Sequence, residues 1–238
     1  MTLYIVTLLH PLFAQVPEAL LLNSMACERL IPVIRCKAIS TFDPAKHPLR
    51  PLTRLGLSDA ALIERLRCFI NDSFPEPRIS ALNHIPPYTG RVGNYFERFS
   101  IIIHGRIAEA LAKGSVKNQS KKSHQLLQFL IIVNIVHEFA HIARSFIHKT
   151  ELDTVEVKDH PYAIELSNSL FALRFTEGGF QAEKELFGGT VGIVFEDEID
   201  GERPPFFNIE YDKISHFFLL CADGKAYCLG EHHSLHWV

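Results

Sequence analysis

The stretch IVNIVHEFAHIARSF, residues 132–146, constrains this chain more than any other. Its apolar residues run almost without a break between a polar linker and a charged loop, so one long helix over about 123–148 is expected. Such a helix has little surface to offer to solvent, and His137, Glu138 and His141 must go indoors with it. Buried imidazoles and a buried carboxylate cost several kcal/mol unless something satisfies them. His137 and His141 are four residues apart and therefore stand one turn above each other on one face, where both rings can reach the same metal ion. Glu138 sits beside the first of them, at the edge of that site, where it can hold a water and take its proton.

The rest of the chain has to supply a body for this helix. At 238 residues with 47% hydrophobic content it can fill a substantial core as one domain. A net charge of -3 and a pI near 6.5 give no electrostatic reason to expect nucleic acid. The short basic cluster KNQSKKSH, residues 117–124, reads as a solvated loop. Five cysteines, Cys27, Cys36, Cys68, Cys221 and Cys228, form no CxxC pair and are read as reduced, mostly buried thiols. A bridge from Cys221 to Cys228 across the ADGK turn is conceivable, but residues that merely face each other across a hairpin fit better. The N-terminal apolar stretch lacks a basic leader and is broken by His10 and Pro11, so a cytoplasmic location is expected, with secretion the alternative. The apolar run Leu126–Val136 is too short for a bilayer, and no membrane partner is expected.

Along the chain, six prolines in residues 1–57 suggest an irregular wrap with a short strand or helix or two. Ser58 can cap a helix near 59–72, in which Leu62, Ile63, Leu66, Phe69 and Ile70 recur at helical spacing. Residues 75–94, rich in Pro and Gly, read as a loop, YFERFSIII as a strand, and GRIAEALAKG as a short helix closed by Gly114. Helices are expected at 161–173 and 178–187, the latter ending at Gly188 and Gly189, and a β-rich segment over 190–230. A helical middle followed by strands defines an α+β domain spanning 1–238.

A catalytic zinc site needs a third protein ligand and an open position. No histidine follows at the spacing and with the glycine of a metzincin, so a carboxylate is the better third ligand. In TEGGFQAEKELFGG, residues 176–189, Glu183 lies mid-helix four residues before Phe187 and can share its inward face, whereas Glu185 is about 200° further round and should point outward. Glu177, at the helix start, is the alternative as a cap, a partner of a ligand histidine, or the ligand itself.

The sequence VHEFAH followed by EKELFGG, with Glu183 42 residues after His141, resembles the gluzincin class of metallopeptidases. The string EGGxxxExxxFGG is also similar to that of uncharacterised HExxH proteins of mushrooms and related fungi. The resemblance covers roughly residues 95–195 and departs from thermolysin-type enzymes in lacking the NExxSD signature and in its longer spacer. It implies a zincin-like core with a β-strand ahead of the active-site helix, for which RFSIII is the matching segment. It also implies a zinc ion (Zn2+) held by His137, His141 and Glu183, with Glu138 as base and a His or Tyr stabilising the oxyanion. Candidates for that last role are His160 and Tyr162, then His232 and His233 in the tail. Phe99–Ile103 would be the edge that pairs with an extended peptide, or else a strand buried between neighbours. The expected activity is hydrolysis of peptide or protein substrates by a metal-activated water. The alternatives are a catalytically silent scaffold that keeps its zinc, or a hydrolase of non-peptide amides.

Overall fold

In the computed structural model of the chain, residues 2–35, 57–80, 91–95, 98–116, 121–148, 178–195, 213–221 and 225–229 are described. The long apolar helix is there as α5, Lys121–His148, and it is the axis of the fold. Phe129 through Val136 are all buried, and Phe139, Ala140, Ile142, Ala143 and Ile147 continue the burial on the C-terminal half. A helix apolar on nearly every side needs neighbours on nearly every side. Those neighbours are α1 (Thr2–Leu22), α2 (Ser24–Arg35), α3 (Asp59–Ser73), α4 (Gly105–Val116) and α6 (Gly178–Phe187), with two small sheets. By length and composition Lys122–Arg144 could also cross a membrane, but 83% of its most apolar window is buried inside the protein.

Residues 2–35 correct the expectation of an irregular N-terminal wrap, because they form two helices that run through Pro11, Pro17 and Pro32. Leu9, Leu12, Phe13, Val16 and Leu20 recur every three or four residues on the buried face of α1, while Pro11 is exposed. A proline inside a helix costs about 3 kcal/mol, but each large side chain buried on the opposite face returns roughly 1.5–3 kcal/mol. Asn23 separates α1 from α2, its side-chain oxygen accepting the Met25 N–H at 3.1 Å as an N-cap. Helix α3 begins as expected at Ser58, whose hydroxyl accepts the Ala61 N–H at 3.3 Å. Ser58→Ala is expected to destabilise the protein by about 1 kcal/mol, read as a shift of the urea midpoint at unchanged slope.

The loop expected over 75–94 instead contributes two strands, β1 (Glu76–Ser80) and β2 (Arg91–Tyr95), on either side of β3 (Arg98–His104). β1 runs parallel to β3, with Glu76 opposite Ser100, and β2 runs antiparallel, with Val92 opposite Ile101. Pro77 is tolerated because β1 is an edge. Phe99–Ile103 is therefore the central strand, the second of the two expectations, and has no free edge for an added peptide. Its alternate residues Ile101 and Ile103 are fully buried. From His104 the chain enters α4 directly, and α4 continues past Gly114 to Val116 rather than ending there.

The β-rich end is a second sheet, β4 (Thr190–Phe195), β5 (Ile214–Leu220) and β6 (Ala226–Leu229), antiparallel in that order. Phe217 of β5 is fully buried and meets Phe129 of α5 edge to face, with ring centroids 4.9 Å apart. Two small sheets and a helical middle give the α+β architecture. Cys228 lies opposite Phe218 and not Cys221, whose own N–H binds the Lys225 carbonyl, so the two thiols are offset and both are free. Among the described cysteines, only Cys27 is buried, against the expectation of mostly buried thiols; Cys68 and Cys228 are exposed. The helix expected at 161–173 lies outside the described residues.

Burial pushes the Cys27 thiol above its ordinary value of 9.0, with Arg67 opposing and Glu28 adding to the effect. The fold thus favours the neutral thiol, so this contribution to stability is complete below pH 9.0 and is lost as the pH rises above it. Alkylation at pH 8 is expected to modify Cys68 and Cys228 quickly and Cys27 only when urea is added, as peptide mass mapping would show.

Candidate functional site

Three aromatic rings fix the rotation of α5. Phe139 is 1% exposed and packs against Phe69 of α3 and against Phe74 just after it, with centroids at 6.0 and 5.1 Å. With Phe139 facing α3, residues 134, 137, 141 and 144, spaced three, four and three apart, form a separate seam along the helix. That seam carries Asn134, His137, His141 and Arg144, and α6 packs against it.

The two glycines that open α6 make this approach possible. A Cβ on Gly179 would stand 2.3 Å from both Cδ2 and Nε2 of His137 and 2.5 Å from its Cγ. Nearly equal distances to three ring atoms mean that the backbone of α6 lies over the flat face of the imidazole. A Cβ on Gly178 would come 2.6 Å from Nη1 of Arg144, the movable end of a long side chain. Phe180 completes the contact, its ring perpendicular to that of His137 at 4.7 Å.

One turn further along α6, Glu183 is 2% exposed, which fits its expected inward face. Its Oε1 accepts from Nδ1 of His137 at 2.7 Å, and its Oε2 accepts from the backbone N–H of Val191 at 2.8 Å. The first contact is short, as bonds to a carboxylate are. The second depends on the chain reversing after α6. Gly188, with φ +87°, closes the helix through its N–H to the Lys184 carbonyl at 2.9 Å. The strand that follows returns Val191 to the carboxylate. Glu185, expected to point outward, is partly exposed, and its carbonyl accepts from Arg29 at 3.4 Å.

His137 and His141 stand with ring centroids 5.5 Å apart and planes tilted by 54°. Glu138, between them in sequence, is a buried carboxylate at 8% exposure. Asn134, one turn earlier, is equally buried, and its Nδ2 has no hydrogen-bond partner among the described residues. Among those residues no group of three or more His, Cys, Asp and Glu side chains is disposed to hold a metal ion. Two imidazoles a turn apart, with a carboxylate on Nδ1 of the first, are donor types that zinc takes, and a third protein ligand for an open site is not supplied by the described residues. Glu177, His160, Tyr162, His232 and His233 lie outside the described residues.

Several members of the site were missed in the sequence. Asn134 had a signal, a polar residue at the i−3 position in an apolar run. Gly179 had one too, in the GG pair, but its reason is the ring of His137, which only the packing of α6 on α5 supplies. Val191 acts through its backbone and leaves no signal in its side chain. Gly179→Ala is expected to destabilise the protein by about 1–3 kcal/mol, since the clash outweighs the helix propensity gained, roughly 1 kcal/mol at most. Thermal melts would show it as a fall in Tm, where an ordinary helical glycine would give a rise.

Compared with known proteins, the chain matches no family model, no curated protein and no solved structure.

Proposed function

We propose that this chain is a zinc-dependent metallopeptidase with a zincin-like core, acting on peptide or protein substrates. The observation that supports this most is the 2.7 Å contact between His137 and Glu183, residues 46 apart in sequence. An HExxH helix met by a carboxylate from a later helix is the pairing on which a gluzincin-like site depends.

In this reading His137 and His141 would hold the ion, with Glu183 as the acidic partner of the first. Zinc bound there would supply a Lewis acid and bring the pKa of a water to about 7. Glu138, next to His137 in the chain, would take a proton from a water at the site and hand it to the departing amine. The covalent nucleophiles of other hydrolases have no part in such a site.

The scaffold reading is favoured by one observation, that both oxygens of Glu183 are already engaged, which suits a clamp between α5, α6 and β4 as well as it suits a reactive centre. Cleavage of a peptide library separates the two. The peptidase is expected to cleave, to stop on chelation and to resume on addition of zinc. A protein that holds zinc firmly and cleaves no peptide in the library would favour the scaffold.

A further inference from the structure

We infer that the corner between α1 and α2 is a self-complementary surface on which a second copy of this chain docks, giving a two-fold dimer. Such a dimer needs no metal and is independent of the peptidase reading.

Leu22 and Met25 stand on either side of the Asn23 corner, 79% and 53% exposed, the two most exposed large apolar side chains among the described residues. One exposed leucine is ordinary on a protein surface. This one stands on the rim of a cavity of about 470 Å³, walled by Val16 and Leu20 of α1, Ile132 and Val136 of α5, and Phe187 of α6. A projecting apolar side chain beside an apolar hollow suits an isologous interface, in which each copy offers the knob that the other's hollow receives.

Charge is the second observation, and it selects the occupant. One turn before Leu22 on α1 is Glu18, and one turn after Met25 on α2 is Arg29; both line the cavity and both are exposed. Opposite in sign, they are not joined to each other. Glu18 has no ion pair or hydrogen bond among the described residues, and Arg29 donates one N–H to the Glu185 carbonyl at 3.4 Å and keeps its other donors. A two-fold axis at the corner lays α1 of one copy along α2 of the other. Glu18 then meets Arg29 of the second copy, the same pair forms again across the axis, and Leu22 enters the second copy's cavity. An anionic membrane is a poorer occupant, because the Glu18 carboxylate one turn from Leu22 is repelled by it. Two helix turns and one cavity make a small interface, so the dimer is expected to dissociate on dilution.

The test is sedimentation velocity on the full chain at about 1 and about 100 µM, with wild type, Leu22→Asp, Glu18→Arg, Arg29→Glu and the double reversal, each accompanied by a thermal melt. Wild type is expected to be dimeric at the higher concentration. Leu22→Asp is expected to weaken the dimer about 30-fold and each single reversal about 10-fold, while the double reversal returns to within about threefold of wild type. These positions are exposed, so the melts should stay close to that of wild type. Wild type that is monomeric at the higher concentration overturns the proposal, as does a dimer that Leu22→Asp leaves intact, or one that single reversals weaken and the double reversal does not restore. The charge reversals decide the matter even if Leu22→Asp unfolds.

Discussion

On the proposed zinc-peptidase reading, Glu138→Gln is expected to lower peptide hydrolysis by about 10²–10⁴-fold, the usual contribution of a general base, with zinc binding and fold retained. The two side chains are nearly the same size and shape, so a buried site at 8% exposure accepts the amide without a cavity. What the amide cannot do is accept a proton and return it. The variant should therefore lose kcat with little change in KM, since the carboxylate acts on the reacting water and contributes nothing to holding the peptide. Activity within threefold of wild type would remove Glu138 from the mechanism. Metal analysis of the same sample makes the result interpretable, because loss of zinc and loss of the base would otherwise look alike.

The largest effect on stability is expected at the next residue. Phe139 is 1% exposed and stacks on Phe69 at 6.0 Å and on Phe74 at 5.1 Å, with interplanar angles of 15° and 21°. Phe69 stacks in turn on Phe146 at 4.1 Å, so one layer of rings fastens α3 to two turns of α5. Phe139→Ala empties the middle of that layer. The lost burial and the cavity together are expected to cost about 3–5 kcal/mol, at the upper end if α3 and α5 cannot close the gap. For a chain of this size that corresponds to a fall in Tm of about 10 °C. Phe139 also fixes which side of α5 faces α6, so on the proposed zinc reading the variant should bind the ion more weakly as well, although Phe139 is not on the seam of His137 and His141. Leu at this position, which fills most of the space, is expected to recover more than half of the stability.

The pair of residues 138 and 139 shows why part of this protein was legible in its sequence. Period and burial are local properties, and an apolar run of α5's length admits few other structures. Helix α3 was equally clear, from Ser58 and five apolar residues at helical spacing, four of which are buried. Prolines misled for a physical reason. They were counted as breaks in residues 2–35, but Pro11 is exposed on α1, where losing one hydrogen bond is outweighed by the face formed by Leu9, Leu12, Phe13, Val16 and Leu20. Strands β1 and β2 were missed because neither EPRIS nor RVGNY has strand character of its own; both exist by pairing with β3. At the site, Glu183 was separable from Glu185 by helical phase alone. The N–H of Val191 and the ring that covers Gly179 are products of the chain folding back after Gly188, and no local pattern records such a return.

The central claim is that the polar triplet of α5 is indoors because it binds zinc. Native mass spectrometry of the purified protein, with His137→Ala and His141→Ala beside it, tests this most directly. One zinc per chain in wild type and none in either variant is the predicted result. Wild-type protein that folds, is gently purified and carries no zinc, or variants that retain it in full, would contradict the account.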